Sequence, residues 1–414
     1  MDDTAMKGPV IVVGAGQAGL QAAESLRAEG YAGALTLIGD EDELPYHRPP
    51  LYKQWLLGEG DEAQLPMRSQ QALERKSIEV MRAARVVSIE CDARTVTLAD
   101  GRRLPWQGLV LATGAAPRAL PVPGAGLEGV LALRSIADAR ALSGALAACA
   151  RSGREVVVVG GGFIGLEVAA AARKLGAGVL VLESADRLMA RAVTPIVSQA
   201  FARLHAAHGV RIATGAQVLA LTGADGRVTG VRTADGALHA AGCVVVGVGA
   251  VPNDRLASAA GVDCRGGVVI DACSRTNAAG IVAAGDCTVR RLDDGSLLRL
   301  ESVQAAVEQA KSAAAALMGR ERAFHAAPWF WSDQFDVKLQ IAGSARGADR
   351  FATRGDPDGW AFSVFSFRDG ALAGVESLNR SQDHMLARRL LDKGVSPTPD
   401  QAADESFDLK ALLA

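Results

Sequence analysis

The chain has 414 residues, of which 49% are hydrophobic and 22% are charged, and its formal net charge is −2. This length suffices for two or three domains with separate cores, and the composition is typical of an ordinary soluble globular protein. A nearly neutral chain has no basic field for nucleic acid, and no apolar stretch approaches the roughly 18 residues of a membrane span. The first residues include no hydrophobic signal segment, so we expect a cytoplasmic location.

The first glycine-rich turn follows an apolar strand, Val10–Val13, and opens a helix predicted over Gln17–Glu29. It has the G-x-G-x-x-G pattern, in which the first glycine makes the turn, the second admits a diphosphate and the third lets the helix pack closely. The diphosphate would lie at the helix N-terminus, and an acid after the next strand, Leu35–Ile38, would accept a ribose hydroxyl. A glycine triplet alone also occurs in plain tight turns, but this context favours a dinucleotide site. Its predicted contacts are Gly14, Gly16, Ala18, Gly19 and Asp40.

A second turn of the same pattern follows the strand Val156–Val159, with a helix through Lys174 and a strand over Val179–Leu182. Glu183 ends that strand, where a carboxylate accepts from a free 2′-hydroxyl and repels a 2′-phosphate. This predicts NAD(H) rather than NADP(H), although Arg187 is compatible with some NADPH use, and Glu183 has the alternative interpretation of a solvated strand end. The predicted NAD contacts here are Gly160, Gly162, Ile164, Gly165 and Glu183.

Three later segments complete the predicted architecture. The strand Leu109–Ala112 runs into Thr113-Gly114, the strand Ile281–Ala284 runs into Gly285-Asp286, and another apolar strand ends at Gly247–Asn253. These segments resemble those of flavoproteins with two dinucleotide-binding domains. In such flavoproteins, the acid after the corresponding late strand binds the ribitol chain of the flavin. We therefore predict an α/β fold with two Rossmann-like dinucleotide-binding domains, the NAD domain being inserted in a discontinuous FAD domain, plus a small α+β C-terminal domain. The predicted FAD domain covers residues 1–116 and 247–326, the NAD domain residues 117–246, and the C-terminal domain residues 327–414.

The C-terminal section has short aromatic-rich strands, predicted over 329–331, 337–342, 360–367 and 372–378. A helix is predicted over 382–392, and Pro397 and Pro399 begin a segment that we expect to be a loose tail with a last short helix. In the preceding domains, Ser135 with Asp138 predicts a capping box, and Ser302 predicts the N-cap of an alanine-rich helix running to Met318.

Three segments together resemble the FAD-dependent ferredoxin reductases of bacterial oxygenase systems: Pro45–Lys53, Glu301–Gln304 and Pro328–Gln334. The resemblance covers nearly the whole chain, and the W-x-W-S-D-Q segment is its most specific part, whereas Tyr52 stands where the family usually has Ser. The resemblance implies hydride transfer from NADH to FAD, then single-electron transfer to a [2Fe–2S] ferredoxin that feeds a cytochrome P450 or Rieske oxygenase. We expect no nucleic-acid partner, no membrane partner and no metal, and a monomer or weak dimer.

The same resemblance assigns roles to individual residues. It places the catalytic pair Lys53 and Glu167 beside the flavin N5, where the carboxylate keeps the ammonium charged. Without the resemblance, the sequence would indicate an ordinary surface lysine at Lys53 and an ordinary core aromatic at Trp331. Besides Lys53, the further predicted FAD contacts are Arg48, Val86, Thr113, Arg134, Asp286, Val303 and Trp331, and the further predicted NAD contacts are Glu167, Gly249 and Glu301, of which Glu301 matches a position near the nicotinamide amide.

The positions of the cysteines help to choose between a ferredoxin reductase and other flavoprotein functions. Related flavoproteins reduce disulfides or peroxides through a cysteine, but Leu44–Lys53 contains none, so thiol chemistry loses its nucleophile. A rubredoxin reductase, a flavin-dependent NADH oxidase and an interaction protein related to apoptosis-inducing factor stay open. We expect six free buried thiols: Cys91, Cys149, Cys243, Cys264, Cys273 and Cys287.

An acidic ferredoxin would require a basic docking face. Arginines concentrate in the C-terminal section and just after Asp286, although scattered arginines are also typical of plain solvated surface. The predicted docking residues are Arg290, Arg291, Arg346, Arg350, Arg388 and Arg389.

Overall fold

The computed structural model describes residues 6–413, which separate into two compact units. Unit 1 comprises the described residues up to His47, Glu62–Ala116 and Ala250–Ala326; unit 2 comprises Arg48–Asp61, Pro117–Gly249 and the described residues from Ala327 onward. Both units are discontinuous in sequence. The segment Arg48–Asp61 groups with the second glycine-rich turn and the C-terminal section in unit 2.

Unit 1 is built on a five-stranded parallel sheet with the fully buried strand Val10–Val13 at its centre. Its Val-Ile-Val-Val sequence does not alternate with polar residues because both faces of the sheet are covered. The helices Gln17–Ala28 and Val303–Leu317 pack on one face, where their small alanines allow close approach. In spatial order, the strands are Ile281–Ala283, Gly108–Leu111, Val10–Val13, Leu35–Ile38 and Glu79–Met81.

The other elements of unit 1 are short. A three-stranded antiparallel sheet packs on the second face of the parallel sheet through residues such as Val96 and Leu98. Its strands are Val86–Glu90, Thr95–Leu98 and Arg103–Pro105, and the remaining strands are Ala115–Pro117, Ala250–Pro252, Val268–Ile270, Thr288–Arg291 and Leu297–Leu298. The remaining helices are Glu62–Gln64, Gln70–Arg75 and Arg255–Ala259.

Unit 2 contains a second parallel sheet, with the buried strand Val156–Val159 at its centre. Its strand order is Val210–Ala213, Val179–Leu182, Val156–Val159, Cys243–Val246 and Val130–Leu131. The predicted Ser135–Asp138 capping box opens the helix Ile136–Ser152. The other helices of this part are Pro49–Tyr52, Gln54–Leu57, Phe163–Lys174 and Pro195–Ala207, and its antiparallel strands are Val218–Ala224, Arg227–Thr233 and Leu238–Ala240.

The C-terminal part of unit 2 is a five-stranded antiparallel sheet with helices. The strand Arg350–Asp356 is not among those predicted from the sequence. It lies at the sheet edge, so its residues are largely polar and the apolar alternation that marks the other strands is absent. In spatial order, the strands are Trp329–Gln334, Val337–Gly343, Ala371–Leu378, Ala361–Arg368 and Arg350–Asp356, and the helices are Ser381–Asp392, Pro399–Ala403 and Leu409–Leu413.

The tail after Pro397 is not loose, contrary to the prediction. Thr398 forms a capping box for the helix Pro399–Ala403, and Ala402 is completely buried. The buried guanidinium of Arg354 donates to the carbonyl oxygens of Asp404 and Phe407, among others. The tail is therefore part of the packed C-terminal domain, because it supplies acceptors to a buried cation.

Within residues 6–413, the helices are all too short or too polar to cross a bilayer.

Candidate active site

The two glycine-rich turns have the same geometry. Gly14 and Gly160 adopt φ values of +111° and +107°, which residues with a Cβ rarely reach. A Cβ on Gly14 would lie 2.1 Å from the oxygen of Ala112, and a Cβ on Gly19 would lie 1.8 Å from the oxygen of Gly14. Both positions thus require glycine, the first for the turn and the last for helix packing.

The middle glycine of each turn faces open space. A Cβ on Gly16 or on Gly162 would meet no heavy atom within 4 Å. Each is the N-cap of the following helix, and neither helix start has a side-chain cap. The first N–H groups of each helix therefore remain available to an anion, so both turns fit the diphosphate of a dinucleotide.

Glu183 lies against the second turn. Its Oε2 accepts from the N–H of Gly161 at 2.6 Å, and its Oε1 accepts from the N–H of Ala185 at 2.8 Å. Arg187 turns its guanidinium away into its own loop, where it donates to the oxygens of Ala190 and Val193. The acid is therefore held against the turn, whereas the guanidinium of Arg187 is bound to its own loop. Ile164 is 39% exposed on the helix that follows, and Gly249 is also exposed, with φ +105°.

In unit 1, the residues that follow two neighbouring strands of the parallel sheet, Gly108–Leu111 and Ile281–Ala283, are held by hydrogen bonds. Thr113 Oγ1 donates to the oxygen of Asn253 at 2.7 Å, and Asn253 Nδ2 donates back to the oxygen of Thr113 at 2.9 Å. Gly285 donates to Gln309 Oε1 at 2.8 Å, and its Cα side lies against Ala18. Asp286 therefore follows a glycine that packs beside the first glycine turn.

The other predicted residues of unit 1 are placed as follows. Asp40 is exposed directly after the strand Leu35–Ile38, and Val86 begins a strand with its side chain half-buried. Ser302 caps the helix Val303–Leu317, as predicted, by accepting from the N–H of Ala305, so Val303 is the first helical residue. Glu301 pairs with Arg299.

Lys53 and Glu167, predicted from the resemblance to pair, are brought together in unit 2. Lys53 Nζ lies 3.7 Å from Glu167 Oε1, but its shorter contact, 2.7 Å, is to Asp333 Oδ2. Sequence reasoning gave no role to Asp333 or Ser332, although both lie in the W-x-W-S-D-Q segment. The hydroxyl of Ser332 donates to Glu167 Oε1 at 2.6 Å. A signal was present, since Ser332 and Gln334 are polar residues at two alternate buried positions of one strand.

Glu167 is 5% exposed, and burial is the main reason why its pKa rises to about 7. Lys53, the hydroxyl of Ser332 and the N–H of Asp333 oppose that rise because each favours the charged form, whereas the charge of Asp333 adds to it. Glu167 is therefore a carboxyl group whose charge changes near neutral pH.

Two more predicted residues of unit 2 lie in defined contacts. Arg48 donates to the oxygen of Arg134 at 2.7 Å. Trp331 lies with its ring centroid 5.7 Å from Lys53 Nζ and 5.6 Å from the ring of Trp329. Lys53 thus has a carboxylate pair on one side and an aromatic ring on another, and it is not a plain surface lysine.

All six cysteines are free, but two of them, Cys91 and Cys264, are only half-buried, contrary to the expectation of six buried thiols. Burial nevertheless raises the pKa of both, that of Cys264 to about 11. Two others, Cys149 and Cys243, lie with their sulfur atoms 3.7 Å apart. Within the described residues, no group of acidic, histidine or cysteine side chains could hold a metal ion.

Two parallel-sheet units, each with a dinucleotide turn, together with an antiparallel C-terminal domain define an oxidoreductase of the two-dinucleotide class. The chain belongs to the pyridine nucleotide-disulphide oxidoreductase family, whose model matches residues 8–310, and a reductase C-terminal family matches residues 329–413.

Named relatives narrow the class. The chain is 45% identical over 406 residues to rhodocoxin reductase of Rhodococcus erythropolis, covering 98% of this chain and 94% of that protein. It is similar to the ferredoxin reductase for the CYP199A2 system from Rhodopseudomonas palustris, at TM-score 0.94 and 43% identity over 98% and 100% of the two chains. It also matches a covalent putidaredoxin reductase–putidaredoxin complex at TM-score 0.94 and 36% identity, covering 100% and 99%. The predicted fold class and the resemblance to oxygenase-type ferredoxin reductases are confirmed.

Proposed function

We propose that this protein is an FAD-containing reductase that oxidises NADH and passes single electrons to a [2Fe–2S] ferredoxin of an oxygenase system. The observation that carries the proposal is the pair of matching glycine turns, each with open space over its middle glycine. When bound, FAD accepts a hydride from NADH and releases electrons one at a time. The protein's own task is to hold both nucleotides in register, exclude water and set the local charge.

The assignment of the turns follows from their surroundings. The Gly14–Gly19 turn holds FAD, with Asp40, Thr113 and Asp286 as its neighbours. The Gly160–Gly165 turn holds NADH, since the carboxylate of Glu183 is fixed at that turn and would repel a 2′-phosphate. The engagement of Arg187 with its own loop supports NADH over NADPH. The remaining predicted contacts rest on the resemblance to known flavoprotein reductases: Arg48, Val86, Arg134, Val303 and Trp331 for the flavin, and Gly249 and Glu301 for NAD.

Lys53 supplies positive charge at the reacting end of the flavin. Two carboxylates, Glu167 and Asp333, hold its ammonium at 3.7 Å and 2.7 Å. An ammonium so placed favours the extra electron density that arrives with the hydride. Glu167 thereby acts as the partner that fixes the position and charge of Lys53.

A one-electron acceptor fits this site better than a disulfide. The segment Leu44–Lys53 has no cysteine, and the half-buried Cys91 and Cys264 have raised pKa values that suppress the thiolate. A ferredoxin is the acceptor that the named relatives support, and a rubredoxin is the alternative. The free state of all six thiols supports a cytoplasmic location.

The ferredoxin docks, we propose, on a basic face of unit 2. Arg388 lies over the ring of Trp329 at 4.7 Å, and Arg389 on the same helix is exposed. Arg346 is exposed in the turn before the edge strand Arg350–Asp356, and Arg350 is exposed at the start of that strand. In unit 1, Arg290 fits docking less well because its guanidinium is half-buried and donates to the oxygen of Phe324, and Arg291 pairs with Asp263.

The test is stopped-flow reduction of the bound FAD by NADH, followed by cytochrome c reduction with and without a [2Fe–2S] ferredoxin. We expect rapid reduction of FAD, and cytochrome c turnover that depends on ferredoxin and falls steeply with salt, while ferricyanide turnover does not. FAD that NADH fails to reduce would refute the reductase. Oxygen consumption unaffected by ferredoxin would instead indicate an NADH oxidase, and equal salt responses would remove electrostatic docking.

A further inference from the structure

A chain of hydrogen bonds between fully buried side chains leads away from Glu167. Ser332 Oγ donates to Glu167 Oε1 at 2.6 Å, and Gln334 Nε2 donates to Ser332 Oγ at 3.1 Å. At the far end, His205 Nε2 lies 2.7 Å from Gln334 Oε1. Ser332, Gln334 and His205 are each 0% exposed, so no water competes for these bonds. The three residues therefore form one unbroken path from a histidine to the carboxylate.

The direction of each bond in this path is fixed by chemistry. An ionised carboxylate can only accept, so the hydroxyl of Ser332 donates to Glu167. The amide nitrogen of Gln334 donates to that hydroxyl, which turns the amide oxygen toward His205. His205 must then carry its proton on Nε2. All donors point toward Glu167, and bonds aligned in this way strengthen one another.

We propose that His205 is a positioning residue of the reductase, which acts through Gln334 and Ser332 to keep Glu167 ionised and so sets the charge beside Lys53. The proposal rests on the proposed function, in which Lys53 and Glu167 act at the flavin. His205 itself lies two side chains away from Glu167 and acts only through them.

His205 is a constant donor over the working pH range. Burial lowers its pKa to about 4, the bond to Gln334 partly opposes this, and the neighbouring His208 adds to the lowering. The imidazole is thus neutral at pH 7. Its Nδ1 has no hydrogen-bond partner within residues 6–413, which agrees with a single proton on Nε2.

Glu167 is the residue of this hydrogen-bonded path whose protonation state changes near neutral pH. Lys53 and Asp333 are the charged groups that face it, and they act in opposite directions on its ionisation. Because the pKa of Glu167 is raised to about 7, the loss of one oriented donor changes its charge at neutral pH. The ionised fraction of Glu167 therefore reports whether the hydrogen bonds from His205 through Gln334 and Ser332 are intact.

The experiment follows the titration of Glu167 in the oxidised, FAD-loaded protein by the infrared band of its protonated carboxyl group. Glu167→Gln identifies that band, and Glu376→Gln identifies the band of a second glutamate whose pKa is also about 7. In His205→Leu, Gln334 loses its donor, and we expect the Glu167 titration to move to higher pH by about one unit. His205→Gln, which restores an N–H donor, should return it toward the wild-type value.

The matched control is His208→Leu. His208 caps the end of the same helix and stacks on Phe335 at 3.8 Å, which His205 also contacts, but it has no bond to Gln334. We expect no shift in this variant, whereas Asp333→Asn should shift the titration downward. The midpoint potential of the bound FAD at pH 7.5 should rise in His205→Leu, since Lys53 is then less neutralised, and stay unchanged in His208→Leu.

An unshifted Glu167 titration in His205→Leu overturns the proposal, as does an equal shift in His208→Leu. If His205→Leu fails to fold, Gln334→Met interrupts the same path one link closer and must give the upward shift. Failure of the proposed function has a different signature, because NADH would then fail to reduce FAD in the wild-type protein while the infrared shifts remained.

Discussion

The two units differ in what they bury. The buried polar side chains described in unit 1 are all neutral, whereas those in unit 2 include six that ionise. In unit 1 they are Ser25, Ser274, Thr288, Gln309 and Ser312. In unit 2 the ionisable ones are Glu167, His205, Arg354, Glu376, Asp383 and His384.

The two units therefore share a backbone geometry at the glycine turn but differ in their electrostatics. Both units build the same glycine turn on the same kind of parallel sheet, so the turn alone does not distinguish a tightly held cofactor from an exchanging one. Unit 1 supports its turn with neutral hydrogen bonds, such as that of Gln309 to Gly285, which do not depend on pH. Unit 2 places carboxylates on and behind its turn, so its response to pH and to the nucleotide's charge must be larger.

The largest effect should come from adding a side chain to the middle glycines. Gly16 and Gly162 both have extended backbones that valine adopts, and a Cβ at either meets no protein atom within 4 Å. We expect Gly16→Val to fold but to purify with little FAD, because the side chain occupies the diphosphate's place. Gly162→Val should keep its FAD and lose about 100-fold or more in kcat/KM for NADH.

Gly144→Val, on an exposed helix position with open space around it, is the control for these substitutions. The measurements are the FAD-to-protein absorbance ratio and steady-state kinetics with ferricyanide. Normal NADH kinetics in Gly162→Val, or loss of FAD from it, would break the assignment of the two turns.

A smaller effect is expected at the acid of the second turn. Glu183→Gln removes the negative charge that faces the ribose, so kcat/KM for NADH should fall about 10-fold and that for NADPH should fall less. The preference for NADH over NADPH therefore narrows. Glu155→Gln, which breaks an exposed ion pair with Arg211 near the same sheet, should leave the preference unchanged. A preference unaltered in Glu183→Gln would contradict the role of the carboxylate.

Glu376 allows the pH dependence of unit 2 to be measured. It accepts from the N–H of Thr194 at 2.9 Å, and burial raises its pKa to about 7. Between its unfolded pKa near 4.5 and about 7, the folded state holds a proton that the unfolded state has lost, so the free energy of unfolding falls as pH rises. This contribution, about 3 kcal/mol in all, is fully present below pH 4.5.

Glu376→Gln cannot lose that proton, so its stability relative to the wild type should increase from pH 4.5 to pH 7. The difference between the two proteins, from urea unfolding at each pH, isolates Glu376 from His205 and His384, whose lowered pKa values act in the opposite direction. A difference independent of pH would show that Glu376 is ionised throughout.

The smallest effect is expected at Arg187, whose charge lowers the pKa of Glu376 against the effect of burial. Arg187→Gln should therefore extend the protonated range of Glu376 to higher pH by less than about one unit. The preference for NADH over NADPH should stay the same, because the guanidinium is bound to its own loop. A changed preference, measured as the ratio of kcat/KM values, would place Arg187 at the ribose after all.

Sequence patterns predicted the elements that are determined by residues close together in the chain. The glycine turns, the buried strands such as Val156–Val159 and the caps at Ser135 and Ser302 depend on neighbours within a few residues. The ion pair of Lys53 with Asp333 joins positions 280 residues apart, and no local pattern reports such a distance. The edge strand Arg350–Asp356 was missed because an exposed edge needs no apolar alternation.

The anchoring of the C-terminal segment by Arg354 has a practical consequence for engineering. Several backbone acceptors of one buried cation come from the stretch between Ala402 and Phe407. A chain shortened at Pro397 would strand that guanidinium beside Asp383 and open the core around Ala402 and Leu409. Deletions or fusion junctions placed in this stretch will therefore report on the folding of the whole antiparallel sheet, and insertions are better placed in the exposed turn at Asp369-Gly370.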